Sequence, residues 1–144
     1  MTHLAGPIPD DLIELSPDEW TAPFWFAAAE HRLVIPRCTS CGTYRMPPSP
    51  FCWKCRAQGI DWVEHDGRGV IYSFTVARHA IIAEVASAIP YVPAVVELDG
   101  LEGVRVIGSM IEIDPDDVRI GLPVELVWHD VRENTSIPCF RVTS

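Results

Sequence analysis

The sequence predicts a mainly β protein: short N-terminal helices, a cysteine-bound metal ribbon, and a five-stranded barrel of the OB type. Three observations carry that expectation. Two Cys-x-x-Cys pairs, Cys38-Thr39-Ser40-Cys41 and Cys52-Trp53-Lys54-Cys55, are separated by ten residues and supply four thiolates for one tetrahedral ion. From Gly69 onward, apolar residues alternate with smaller or polar ones at the strand period of two. Before the cysteines, Ser16-Pro17-Asp18-Glu19 and the alanine-rich run after Pro23 read as helix starts. The 144 residues suit one compact unit or two very small ones. They divide into a helical arm (1–36), a ribbon (37–60) and a barrel (61–144).

The arm rests on local chemistry. In Ser16-Pro17-Asp18-Glu19 the serine can accept from the backbone N–H three residues on, and the glutamate can reach back. Proline suits the first helical position. Pro23 blocks smooth continuation and begins a second helix, Phe24-Trp25-Phe26-Ala27-Ala28-Ala29-Glu30-His31-Arg32. Three consecutive aromatics cannot share one face of a helix with about 3.6 residues per turn. The barrel is therefore expected to cover part of that surface.

In the ribbon each Cys-x-x-Cys makes one knuckle, and Gly42 follows the first pair where the turn favours a residue tolerant of positive φ. In a reducing compartment these cysteines bind metal rather than forming surface disulfides. Four thiolates accept zinc or iron, and Cys41-Gly42-Thr43-Tyr44 resembles a rubredoxin knuckle. An electron carrier consists of little beyond its metal domain, whereas most of this chain lies outside it, which favours zinc. Ligation by Cys38, Cys41, Cys52 and Cys55 leaves no open position, so one structural zinc per chain is expected. It replaces the hydrophobic core that a 24-residue segment cannot build. Cys139, beside Phe140, reads as a small buried hydrophobe.

Barrel strands are expected at 69–77, 93–99, 104–113, 124–128 and 138–142. In the first, Val70, Tyr72, Phe74 and Val76 share a face and should point inward. Tyr72 and Phe74 could stack nucleic-acid bases, but an inward face makes them core. Asp99-Gly100, Asp114-Pro115 and Gly121-Leu122-Pro123 mark turns, and residues 114–121 read as a single capped helical turn. Ala80 to Pro90 is unusually apolar for a loop; it suits a buried helix, or a contact surface for a protein or an acyl chain.

Net charge is −9, spread as −5 over 1–36, +4 over 37–60 and −8 over 61–144. An acidic balance argues against sequence-independent binding to nucleic acid, which relies on many Lys and Arg contacts. Four thiolates with zinc(II) sum to −2, which the basic island of Arg37, Arg45, Lys54 and Arg56 offsets. No apolar run approaches the ~18 residues of a membrane helix. The acidic N-terminus resembles no signal peptide, and a cytoplasmic location is expected.

Catalytic signatures are missing: no nucleophile elbow, phosphate loop or dinucleotide fingerprint occurs. His65-Asp66 and His129-Asp130 are adjacent pairs, but neighbours on a strand point to opposite faces, which argues against catalysis. Asp114, Asp116 and Asp117 read as cap and solvated surface. Arg78 and His79 end the long strand beside the apolar stretch, and a cation there suits a ligand with phosphate and acyl ends.

The order of parts resembles a known family. The Phe-Trp arm, the double knuckle, Gly67-Arg68-Gly69-Val70-Ile71-Tyr72-Ser73-Phe74-Thr75, Pro90-Tyr91-Val92-Pro93-Ala94-Val95-Val96-Glu97-Leu98 and Asp116-Asp117-Val118-Arg119-Ile120-Gly121 appear in succession. That succession, from about Asp18 to Val142, is similar to the acyl-CoA-associated zinc-ribbon/OB-fold family, long catalogued as a domain of unknown function. The resemblance implies a non-catalytic accessory subunit of a thiolase-fold, lipid-transfer-protein-like enzyme that cleaves β-hydroxyacyl-CoA thioesters by retro-aldol chemistry, as in steroid side-chain degradation. It implies a zinc held by Cys38, Cys41, Cys52 and Cys55. Trp20, Phe24, Trp25 and Arg32 on the arm, together with Arg78 and His79, are then expected to touch the partner or the CoA thioester. A two-plus-two hetero-oligomer follows, since thiolase-fold enzymes are usually dimers. The alternatives are an acetyltransferase partner or a nucleic-acid-binding module.

Overall fold

The computed structural model describes residues 3–143. The arm carries a 3-10 turn at Asp10–Leu12 and one α-helix, α1 (Ala22–Ala29). The helix expected from Ser16 does not form. Asp18 Oδ1 instead accepts from the N–H groups of Trp20 and Thr21, each at 2.9 Å, a local turn that competes with helix. The Asp18 carbonyl then accepts from Ala22 N–H at 2.8 Å, and α1 starts there with Pro23 in its first turn. Phe24, Ala27 and Ala28 face inward, whereas Phe26 is 68% exposed.

The ribbon is framed by two antiparallel strands, β1 (Leu33–Cys38) and β2 (Ile60–His65), paired from Leu33↔His65 to Cys38↔Ile60. Both knuckles lie in the loop between them. The barrel follows as β3 (Arg68–Phe74), β4 (Pro93–Leu98), β5 (Arg105–Met110), β6 (Pro123–Arg132) and β7 (Thr135–Val142). It closes in the order β3-β4-β5-β7-β6, with β5–β7 the parallel pair, the Greek-key arrangement of an OB barrel. Asp114 Oδ1 accepts from Asp116 N–H at 2.9 Å and caps the 3-10 turn Pro115–Asp117.

The inward face of β3 is the opposite of the expected one. Gly69 and Ile71 point into the barrel, and Tyr72 is 49% exposed, its ring lying 3.7 Å beneath the Arg105 guanidinium. At Gly69 a Cβ would run into the Glu97 carbonyl and stand 2.8 Å from Val96 Cγ1, so only glycine fits where β4 crosses. A bulge between Ile71 and Ser73 then shifts the phase and returns Phe74 toward the core. Residues 80–90 are not a buried helix either. Only a 3-10 turn forms at Ala83–Val85, and Ile81 is 89% exposed.

One hydrophobic core joins all three parts. Ala5 and Phe24 of the arm and Leu33 and Ile35 of β1 pack in the same cluster as Ile71, Val96, Met110 and Phe140 of the barrel. Ala5 is tied to the segment after β5: its N–H donates to Ile113 O at 2.8 Å, and its carbonyl accepts from Glu112 N–H at 3.0 Å. Among the described residues no helix is long and apolar enough to cross a membrane.

Candidate metal centre

β1 delivers Cys38 at its last position. The Cys38 N–H donates to Thr43 O at 2.8 Å, and the Gly42 N–H donates back to Cys38 O at 2.9 Å. The second knuckle repeats the pattern: Cys52 N–H donates to Ala57 O at 2.8 Å and Arg56 N–H to Cys52 O at 2.9 Å. Both turns need a left-handed residue four places after the leading cysteine. Gly42 supplies it at φ +76, as expected; Arg56 supplies it at φ +67, with about 1–2 kcal/mol of Cβ strain.

The four sulfurs lie within 4.8 Å of one another. Cys38 Sγ is 3.5 Å from Cys55 Sγ, and Cys41 Sγ is 3.6 Å from Cys52 Sγ. A tetrahedron with metal–sulfur bonds of about 2.3 Å has edges of about 3.8 Å, so the donor set fits one soft tetrahedral ion. The spacing is also far too long for disulfides, and all five cysteines are free. Cys38 and Cys52 are buried, Cys41 and Cys55 exposed.

Backbone dipoles prepare the sulfurs for metal. The N–H of Cys41, with that of Ser40, holds the Cys38 thiol below its ordinary range; the N–H of Cys55, with that of Lys54, draws Cys52 down to about 6. At Cys55 the Ala57 N–H favours the thiolate, but the neighbouring Cys38 sulfur, burial and the other two sulfurs outweigh it and push the thiol up to about 11. Four sulfurs this close repel one another when ionised, and a divalent ion among them reverses that repulsion. The four cysteines make one metal site with no position left for substrate.

The remaining expected site residues lie elsewhere. Trp20 is half-buried, and Phe24 is part of the core, edge-on to the half-buried Trp25 at 4.9 Å between ring centroids. Arg32 pairs with Glu64 and Glu30. Arg78 donates to Asp116 at 2.7 Å, and His79 is exposed. His65 is structural: its Nδ1 accepts from Gly67 N–H at 3.0 Å, while Nε2 lies 2.8 Å from Asp99 O. His129 faces Asp10 at 2.7 Å rather than Asp130, which binds His31 and Ser136 at 2.6 Å each. These pairs clasp the arm onto the β6–β7 hairpin. Sequence reasoning missed an apolar groove of about 470 Å³ where arm, ribbon and barrel meet. Phe24, Trp25, Met46, Tyr91, Arg105 and Ile107 are among its walls; of these the sequence singles out only Phe24 and Trp25 as contact residues, because the groove is built from residues far apart in sequence.

Family models agree with this architecture. The ChsH2 rubredoxin-like zinc ribbon domain matches residues 25–61, and the ChsH2 C-terminal OB-fold domain matches residues 62–129. A DUF35 domain-containing scaffold protein of Methanocaldococcus jannaschii is 34% identical over 103 residues, 71% of each chain. The chain belongs to the ChsH2/DUF35 family. A solved structure described as an Ltp2-ChsH2(DUF35) aldolase aligns with TM-score 0.80 and 39% identity, over 90% of this chain and 98% of that one. A probable enoyl-CoA hydratase alpha subunit of Thermomonospora curvata is 44% identical over 119 residues, 82% of this chain. The 3-oxo-4,17-pregnadiene-20-carboxyl-CoA hydratase alpha subunit of Mycobacterium tuberculosis is 37% identical over 122 residues, 85% of this chain. This ChsH2/DUF35 chain spans only 36% and 38% of the length of those two relatives.

Proposed function

We propose that this chain is a non-catalytic accessory subunit of a thiolase-fold acyl-CoA enzyme, a retro-aldolase of β-hydroxyacyl-CoA thioesters in steroid side-chain breakdown. The observation that carries this reading is the match to the ChsH2(DUF35) component of an Ltp2 aldolase along 98% of that chain. The hydratase relative acting on a pregnadiene carboxyl-CoA supports the steroid context. The relative described as a scaffold supports a role in assembly. Chemistry points the same way: the four-sulfur site is closed, and the His31–Asp130 and His129–Asp10 pairs are consumed in holding segments together.

In this reading zinc is the resident ion and fixes the two knuckles, while the chain's own residues present surfaces. Trp25 on the apolar groove and the exposed Ile81–Ile82 loop offer contacts to the partner or to the acyl portion of the thioester. The assembly is a two-plus-two hetero-oligomer in the cytoplasm and involves neither nucleic acid nor membrane. The test is co-expression with a thiolase-fold subunit of the same organism. Cleavage of a β-hydroxyacyl-CoA is followed with each chain alone and with both together. Turnover that needs both chains supports the proposal; full turnover by the thiolase-fold subunit alone, or turnover by this chain alone, overturns it.

A further inference from the structure

We infer that Arg45 is a positioning residue of the metal centre: a buried cation that locks the second knuckle and balances the charge of the metal–thiolate cluster. The inference rests on the four cysteines holding a divalent ion. Arg45 is 3% exposed. Among the described residues no carboxylate lies within 4.0 Å of its guanidinium. A buried, unpaired guanidinium is strongly unfavourable unless an opposite charge offsets it. The other bases of the island do not share this problem: Lys54 and Arg56 are exposed and Arg37 is half-buried.

The hydrogen bonds show what Arg45 holds. Nη1 donates to Ala57 O at 3.2 Å and Nη2 to Gln58 O at 2.8 Å. Ala57 O also accepts the Cys52 N–H at 2.8 Å, and the Ala57 N–H is directed at the Cys55 sulfur. One residue, Ala57, therefore connects the guanidinium to both cysteines of the second knuckle. The backbone N–H of Arg45 donates to Pro36 O at 3.0 Å, two residues before Cys38. Arg45 thus clips the strand entering the first knuckle to the chain leaving the second.

Nε of Arg45 is buried without a partner, so carbonyl dipoles alone do not satisfy the group. Four thiolates around a divalent ion carry −2, the counter-charge that the guanidinium lacks. Burial of Arg45 and loading of the metal then favour each other.

The test uses the full zinc-loaded chain as wild type, Arg45→Met and Arg45→Lys. Transfer of zinc to a chromophoric chelator gives the release rate, and cobalt(II) substitution gives the ligand-field spectrum of the four sulfurs. Loss of an outer-shell partner weakens metal binding by roughly 10–100-fold. Arg45→Met is accordingly expected to release zinc at least ~10-fold faster and to shift the cobalt bands. Arg45→Lys falls between, because an ammonium restores the charge but not the two-pronged contact. A space-filling role predicts that Met, of similar length and apolar, leaves both readouts at wild-type values, and that outcome overturns the inference. Should Arg45→Met fail to fold, Arg45→Lys decides: faster release supports the assignment, and wild-type release with an unshifted spectrum refutes it. A wild-type chain that takes up neither zinc nor cobalt sinks the metal reading itself.

Discussion

A single methyl group at Gly108 is expected to strain the barrel at its parallel strand pair. Gly108 lies on β5, which pairs in parallel with β7 at Ser109↔Cys139 and Met110↔Phe140. A Cβ on residue 108 would stand 2.7 Å from Pro138 O and 2.9 Å from both Cδ2 and Cε2 of Phe140. Ordinary carbon–oxygen contacts start near ~3.3 Å, and carbon–carbon contacts near ~3.5 Å. The methyl is thus short of room by about 0.6 Å on both sides. Neither neighbour can yield cheaply, since the first is backbone and Phe140 is fully enclosed in the core. Overpacking of this kind costs about 1–3 kcal/mol, and weakening one ladder hydrogen bond adds about 1 kcal/mol. Gly108→Ala should therefore destabilise the chain by about 2–4 kcal/mol. With a urea m-value near 2 kcal/mol/M, the midpoint falls by roughly 1–2 M. Circular dichroism during urea unfolding of the zinc-loaded chain measures it. Gly6→Ala is the control, because nothing lies within 4 Å of a Cβ there and no positive φ is involved. A Gly108→Ala midpoint equal to that of Gly6→Ala would refute the β5–β7 closure on which the barrel is built.

Three further outcomes follow from the arm, the ribbon and the second knuckle. Stripping the metal, or Cys52→Ser, should unfold the knuckles because binding free energy there is folding free energy; hydrogen exchange should rise at residues 38–45 and 52–59 while the β6–β7 amides stay protected. Arg56→Gly removes the Cβ strain at φ +67. It should be neutral to about 1 kcal/mol stabilising, read as a thermal midpoint with zinc bound. The Ser136 hydroxyl, then His31, hold the Asp130 carboxyl below its ordinary range. A depressed carboxylate stabilises the folded chain above its unfolded pKa of about 3.9, and the contribution vanishes as pH falls through the lower folded value. Asp130→Asn should accordingly flatten the acid limb of the stability profile below about pH 4, read as urea midpoints across about pH 2–5.

What could be read from the sequence was the part fixed by local spacing. Each Cys-x-x-Cys closes its own turn, so the metal ligands and the left-handed Gly42 were legible, and so were the cap at Asp114 and five approximate strands. The inward face of β3 was not. Val70, Tyr72 and Phe74 alternate convincingly, but the true inner position holds glycine, and a bulge resets the phase after Ile71. Ser16 lost to Asp18 because an aspartate two or three residues before free N–H groups makes a tighter local turn. The strands β1 and β2 escaped notice because their pairing partners lie on opposite sides of the knuckles. Long-range pairs such as His129–Asp10, 119 residues apart, leave no trace in a single sequence.

The distribution of paired polar groups and bare apolar ones shows how arm and barrel hold together and which surfaces stay uncovered. In an enzyme the histidines, aspartates and serines of a cleft are left poised toward substrate. Here His31, Asp130, Ser136, His129 and Asp10 bind one another, and Arg132 donates to the Asp10 and Ile13 carbonyls, so that arm and hairpin form one piece. Arg78 and Arg141 are likewise paired, with Asp116 and Glu125. Large apolar side chains are left uncovered: Phe26, Phe51, Trp53, Ile81, Ile107 and Ile120 all project into solvent. A shared core running from Phe24 through Ile35 to Phe140 holds those projections in fixed relative positions. Under the proposed accessory role, these apolar side chains, held outward on a rigid frame, are the surface the chain would offer to a partner subunit.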